Sequence, residues 1–257
     1  MEQDVIAIKI GGKPAGDDAT QRIFARELAQ LQAGHRIVVI HGGGAEVSRI
    51  TKTFGLQPVF KDGIRMTSAA EMEIVDMVLA GKVNKEIVRR FQSCGVPAFG
   101  FSGADGPLFT GESVDAVAQN RTGHVKKVDR KPLDLLMDGG YVPVIASVSV
   151  DDAGNALNIN ADEAALDVAA ALHARSLLFL SDTPGIILDT TVAPQLTEAE
   201  IEREIGAGAI SGGMIPKARS SIAALKRGVE QIIIGEFNEY GDLARLLDGS
   251  QGTRIIL

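Results

Sequence analysis

The chain has 257 residues, 45% of them hydrophobic and 23% charged, with 29 Gly and 4% aromatic residues. That composition is globular and excludes collagen, coiled coil and disorder, while the length allows one large α/β domain or two lobes. Lys plus Arg number 26 and Asp plus Glu 33, a net charge of −7, so no global basic field exists to hold a nucleic-acid backbone. No apolar run approaches the roughly 18 residues of a membrane span, and the acidic opening MEQDVIAIKI enters a strand-like run at once, with no signal-peptide pattern. The lone Cys94 excludes an internal disulfide framework and a Cys-based zinc cluster. Four scattered His without HExxH offer no metal motif. The expectation is a cytoplasmic enzyme or binding protein that handles small molecules.

In chain order, VIAIKI at 5–10 predicts a strand and 18–33 a helix, with Phe24, Leu28 and Leu31 at i, i+4 and i+7 and Gly34 as its stop. RIVVIH at 36–41 is a near-continuous apolar strand, followed by a helix near 45–54 carrying Val47, Ile50 and Phe54. Ser68 with Glu71 has the spacing of a capping box ahead of Met72, Val75 and Leu79. Further strands are expected at 97–101, 142–147, 176–181 and 231–234, and helices near 161–172, 213–227 and 240–247. Strands apolar on both faces and alternating with helices predict an open three-layer αβα sandwich with a mostly parallel central sheet. The polar, turn-rich stretches 107–130 and 148–160 are too short for further βα units and are expected to be rim β-hairpins. A lobe boundary is placed near 173–176, dividing the chain into 1–174 and 175–257.

Ligands of such sheets bind beyond the carboxyl ends of the strands. Four predicted strand ends there are rich in glycine or turn residues: Gly11-Gly12, Gly42-Gly43-Gly44, Ser102-Gly103-Ala104-Asp105-Gly106 and Asp182-Thr183-Pro184-Gly185. Glycine admits close backbone approach, and the helix N-termini that follow offer unpaired N–H groups to anions, so a phosphorylated ligand is expected. Neither GxxxxGK[ST] nor GxGxxG occurs, which sets aside P-loop and dinucleotide folds. Lys9 interrupts an apolar strand and either snorkels from an edge strand or faces a carboxylate or ligand anion. Lys217 falls in the first turns of a predicted helix, where the dipole disfavours a cation; it is either a solvated lysine or one held there for an anion. In Asn158-Ile159-Asn160-Ala161-Asp162, Asn160 or Asp162 could cap the following helix, and residues 158, 160 and 162 would share a face if extended. Arg65 could bind a substrate carboxylate or pair with Asp62 at the surface.

Together with Asp62-Gly63-Ile64-Arg65-Met66-Thr67, the helix Leu79-Ala80-Gly81-Lys82-Val83-Asn84-Lys85, and Gly212-Gly213-Met214-Ile215-Pro216-Lys217, these segments resemble the amino-acid kinase family over essentially the whole chain. Within it they resemble the branch acting on N-acetyl-L-glutamate. The resemblance implies ATP-dependent phosphorylation of that substrate's γ-carboxylate to an acyl phosphate in arginine biosynthesis, with Mg²⁺ placed by the ATP phosphates. By matched position Lys9 and Lys217 would be transition-state lysines held by Asp162. Gly43, Gly44, Arg65 and Asn158 would bind substrate. Gly11, Gly12, Ser181, Asp182, Thr183, Pro184, Gly185, Ile186, Ile187, Ala209, Ile210 and Ser211 would lie along the nucleotide. The first lobe would bind acetylglutamate and dimerise, and the second would bind ATP. Only four residues precede the first strand, and the tail lacks the effector pattern of arginine-inhibited members, so an arginine-insensitive homodimer is implied. Lys13-Pro14 is unusual for the family and could alter a flap over the substrate. The competing readings are a kinase for a carrier-bound aminoadipate or glutamate, and a non-catalytic ligand-sensing domain; the latter should have lost a catalytic lysine, whereas Lys9, Lys217 and Asp162 all stand in place.

Overall fold

The computed structural model describes residues 3–11, 16–61, 63–106, 108–115 and 120–257. Gly12, Lys13, Pro14 and Asp62 lie outside the described residues. The elements are β1 (Val5–Ile10), α1 (Asp18–Leu31), β2 (Arg36–His41), α2 (Gly44–Thr53), β3 (Phe60–Lys61), β4 (Ile64–Arg65) and α3 (Ala69–Asp76). A π-helical stretch, Met77–Val83, joins α3 to α4 (Asn84–Ser93). Then come β5 (Ala98–Ser102), β6 (Phe109–Ser113), β7 (Thr122–Val128), α5 (Lys131–Asp138), β8 (Val142–Ala146), β9 (Val148–Val150), β10 (Ala156–Ile159) and α6 (Ala161–Ala171). The last part holds β11 (Ser176–Ser181), β12 (Ile187–Leu188), β13 (Thr191–Val192), β14 (Gln195–Thr197), α7 (Glu198–Gly206), α8 (Met214–Lys226), β15 (Gln231–Glu236), α9 (Asp242–Asp248) and β16 (Thr253–Ile256).

The central sheet runs β14-β16-β15-β11-β1-β2-β8-β5. It is parallel from β15 to β5; only β16, with β14 beside it, runs the other way. The expected parallel αβα sandwich is therefore the observed one. The sheet is continuous across residue 175, because β11 pairs with β1. Alternation along each strand divides the core. Ile6, Ile8 and Ile10 face α1 and α4 through Phe24, Leu28 and Phe91, while Val5, Ala7, Leu177 and Phe179 belong to the opposite layer with α6 and α8.

The two expected rim hairpins are present, β6–β7 and β9–β10, but they also pair with each other. Parallel contacts β10–β7 and β6–β9 close them into a four-stranded barrel. Closure removes the open edges that two separate hairpins would expose. Other local expectations changed. Helix α1 ends in a tight i→i+3 turn, Gly34 N–H donating to Leu31 O at 3.2 Å, without a left-handed glycine cap. Phe54, expected on the buried face of α2, follows the helix and is 64% exposed. The 102–106 turn is structural: Asp105 Oδ2 accepts from Ser102 N and Oγ at 2.7 and 2.8 Å, and a Cβ on Gly103 would lie 2.2 Å from Phe109.

Candidate functional site

Lys9 is the last residue of β1 on the layer that faces α6 and α8. Its neighbours in register are Phe179 on β11 and Ile40 on β2, so its strand lies in the middle of the sheet. The edge-strand reading of Lys9 is thereby excluded, and a half-buried ammonium there needs an anion. Helix α6 starts at the same sheet edge, with Asn160 as its N-cap accepting from Asp162 N–H at 2.8 Å. Because Asn160 does the capping, the Asp162 carboxylate is free for other partners: Lys9 Nζ at 2.8 Å and Lys217 Nζ at 3.1 Å. Asp162 therefore sits in a helical turn, and the three polar residues 158, 160 and 162 do not share one extended face.

Lys217 occupies the first turn of α8, against the helix dipole. Asp162 offsets that penalty, as does the face of Phe179, whose centroid is 5.0 Å from Lys217 Nζ. Burial pushes the Asp162 carboxyl up, and the Lys9 and Lys217 ammonium groups outweigh that effect, holding it below its ordinary value. Gly11 makes room for this cluster, since a Cβ there would lie 2.9 Å from Lys9 Nζ.

A cavity of about 1250 Å³ opens beside Lys9, lined by Gly43, Gly44, Arg65, Asn158 and Asn160 among others. Gly43 caps α2 with φ 157°, and a Cβ on it would lie 2.8 Å from Leu79 and 3.3 Å from Val83. Arg65 is buried, with Nη1 2.6 Å from Glu71 and Nη2 donating to Gly44 O at 3.0 Å and to Ser48 Oγ at 2.5 Å; its guanidinium also lies over the Phe60 ring. The capping box expected at 68–71 is thus half made. Ser68 accepts from Glu71 N–H, while the Glu71 carboxylate turns to Arg65. The barrel supplies the opposite wall: Asn158 Nδ2 donates to Thr67 Oγ1 at 2.9 Å, and Thr122 Oγ donates to Arg65 O and accepts from Thr67 N–H. Ser48 and Thr122 were not singled out from sequence, Glu71 was read only as a helix cap, and Thr67 only as part of the 62–67 motif. Thr67 and Glu71 lie near Arg65 in the chain, but their bonds join segments up to 91 residues apart.

The other glycine-rich edge follows β11, on the far side of β1 from the Gly42–Gly44 turn. Ser181 Oγ meets Thr183 Oγ1 at 2.9 Å. Gly185 (φ 152°) approaches so closely that a Cβ would lie 2.6 Å from both Thr253 Oγ1 and Val192. The Ile186 and Ile210 side chains are buried in the core, leaving backbone as what they can present, while Thr183, Ile187, Ala209 and Ser211 are exposed. Among the described residues no group of three or more His, Cys, Asp or Glu is disposed to hold a metal. None of their helices is long and apolar enough to cross a membrane.

Two ammonium groups on one carboxylate lie between an open cavity and a second glycine-rich edge, a concentration of positive charge suited to an anionic ligand. Residues 4–236 match the family described as Amino acid kinase family, and the chain belongs to that family. It is 39% identical to the acetylglutamate kinase of Nostoc punctiforme over 98% of this chain and 87% of the relative. It is 38% identical to that of Rubrobacter xylanophilus over 97% and 96%. Among solved structures, smu.665 from Streptococcus mutans superposes with a TM-score of 0.81 at 26% identity, covering 98% of both chains.

Proposed function

We propose that this chain transfers the γ-phosphoryl group of MgATP to the γ-carboxylate of N-acetyl-L-glutamate, a step of arginine biosynthesis. The carrying observation is the Lys9–Asp162–Lys217 cluster beside the Arg65 cavity, together with acetylglutamate kinases as full-length relatives. A carboxylate is already ionised at neutral pH and needs no general base. The barrier is the approach of one anion to another, so positioning and positive charge carry the catalysis. A carboxylate oxygen attacks the γ-phosphorus in line, the bond to the β,γ-bridging oxygen breaks, and ADP leaves with that electron pair. Lys9 and Lys217 would offset charge on the transferring group, with Asp162 holding both ammonium groups in place.

The Gly43 and Gly44 backbone, Arg65 and Asn158 would hold the acyl amino acid, Arg65 and Asn158 at its α-carboxylate. Gly11, Gly12, 181–187 and 209–211 would follow the nucleotide, so residues 175–257 would hold most of the ATP, with the Gly11-Gly12 turn of 1–174 reaching its phosphates and the rest of 1–174 taking the acceptor. Mg²⁺ would arrive as MgATP, its ligands phosphate oxygens and water; Asp162 is already engaged with two ammonium groups. We also assign a cytoplasmic homodimer. Supporting the dimer, the sheet edge β5 carries Phe99, 49% exposed, in edge-to-face contact with Tyr141, 46% exposed. Sedimentation of wild type and Phe99→Asp tests it: a monomeric wild type removes the assignment.

Trapping the acyl phosphate as hydroxamate tests the reaction. Product from MgATP with N-acetyl-L-glutamate, absent with free L-glutamate and unchanged by arginine, is the expected result. ATP binding without product from any free acid would move the assignment to a carrier-bound substrate or a silent sensor.

A further inference from the structure

His41 closes β2, immediately before the glycine turn of the acceptor cavity, and it is fully buried. Its Nδ1 lies 2.8 Å from Gly42 O and its Nε2 3.0 Å from Asn84 Nδ2. Asn84 is also fully buried and follows the π-helical stretch at the start of α4. Its amide orientation is dictated by its neighbours. Lys85 Nζ, which can only donate, lies 2.9 Å from Asn84 Oδ1, while Nδ2 meets the carbonyls of Val144 at 2.9 Å and Phe101 at 3.3 Å, which can only accept. Lys85 Nζ is itself anchored on Gly100 O at 2.6 Å. Gly100 has no side chain to obstruct this, since a Cβ there would lie 2.2 Å from Asn84 Oδ1.

The tautomer of His41 follows from that chain. Asn84 Nδ2 can only donate, so Nε2 accepts; Gly42 O can only accept, so Nδ1 carries the proton. Burial, with the Lys85 charge from α4 added, lowers the imidazole pKa to about 4, so the ring stays neutral at working pH. The Gly42–Gly43 peptide is trans, and in a trans peptide the C=O and N–H point in opposite directions. A carbonyl held toward the buried ring therefore turns the Gly43 N–H away from that ring, and Gly43 is among the residues lining the cavity. That N–H has no hydrogen-bond acceptor among the described residues.

We infer that His41 is a positioning residue. As a neutral donor fixed by Asn84 and Lys85, it sets the Gly42–Gly43 peptide so that the Gly43 N–H is presented to an anionic oxygen of the acceptor or of the transferring phosphoryl group. This rests on the kinase reading of the same cavity, but the network itself can be read without substrate.

The experiment combines ¹⁵N-histidine NMR with kinetics on the full chain. Loss of one of the four histidine signals in His41→Asn assigns His41. The expected spectrum shows Nδ1 protonated, Nε2 bare and no titration between pH 5 and 8. An Nε2-bound proton, or a midpoint in that range, overturns the inference whether or not acetylglutamate is the acceptor. Asn84→Asp replaces the donor facing Nε2 with an acceptor and should bring the imidazole into titration above pH 6. Asparagine can place its amide nitrogen near the position of Nδ1 and leucine cannot. His41→Leu should therefore lower kcat/KM for N-acetyl-L-glutamate more than tenfold with the KM for ATP within threefold, and His41→Asn should recover most of it. Folded His41→Leu within twofold of wild type overturns the positioning role. Wild type inactive on acetylglutamate refutes the substrate assignment alone, and the NMR result then decides the network.

Discussion

Arg65 and Glu71, six residues apart in the chain, form a buried ion pair: Nη1 lies 2.6 Å from Oε1, and the two side chains are 7% and 5% exposed. The guanidinium that faces the cavity is thus held from behind by a carboxylate inside the protein.

Removing one partner leaves the other charged and buried, a change that costs about 3–5 kcal/mol in comparable pairs. Glu71→Ala is expected to lower unfolding free energy by that order in urea melts and to raise the KM for N-acetyl-L-glutamate more than tenfold. Replacing Arg65 and Glu71 together by Met should recover part of the stability and none of the substrate affinity. Equal stability loss in single and double variants would show that the pair does not couple.

Lys9→Ala and Lys217→Ala should each lower kcat by about a hundredfold or more, the scale of removing one donor from a developing oxyanion. KM for either substrate should move far less. A kcat close to wild type in either variant would remove that lysine from the chemistry. Steady-state hydroxamate assays decide it.

Gly11 and Gly43 should respond differently to alanine. At Gly11 the new Cβ meets the far end of a flexible lysine at 2.9 Å. Gly11→Ala is therefore expected to melt near wild type while losing kcat as Lys9 is displaced. At Gly43 the φ of 157° and the 2.8 Å approach to Leu79 act together, so Gly43→Ala should lose both stability and acceptor affinity. Paired calorimetry and kinetics separate the two.

Asp162 has a folded-state pKa below its ordinary 3.8. A carboxyl shifted down stabilises the fold above its unfolded pKa and loses that contribution as pH falls from 3.8 through the folded value. Asp162→Asn should therefore melt below wild type at pH 7, with the gap closing as pH drops below 3.8. A constant gap from pH 7 to 2.5 would mean that the two ion pairs contribute nothing to stability. Thermal melts across that range measure it.

Much of this molecule is determined locally. The apolar runs at 5–10, 36–41 and 176–181 form strands at those residues, and the amphipathic 18–31 and 214–226 form helices, because a period of two or 3.6 is a property of a few adjacent side chains. The glycine-rich strand ends were legible for the same reason, as were Lys9, Lys217, Asp162 and Arg65 as chemically conspicuous residues. Short β14 and β16 carry too little local pattern to be singled out and exist through their pairing, whereas the 198–206 helix does carry a local signal, the capping box of Thr197 with Glu200. Tertiary structure alone decided the partners of the chemically conspicuous residues. A lysine in VIAIKI is an edge lysine or a buried cation depending on which strands flank it, and only the order β11-β1-β2 places Lys9 inside. Asn160 and Asp162 are equivalent caps by sequence, and only the arrival of α8 draws Asp162 to Lys217. Glu71 has the spacing to cap its own helix, yet its carboxylate binds a buried guanidinium more strongly than the Ser68 N–H that it would accept from in a capping box. Local periodicity specifies the elements, whereas the partners of Lys9, Asp162 and Lys217 lie far away in the chain and meet only when the sheet and helices pack.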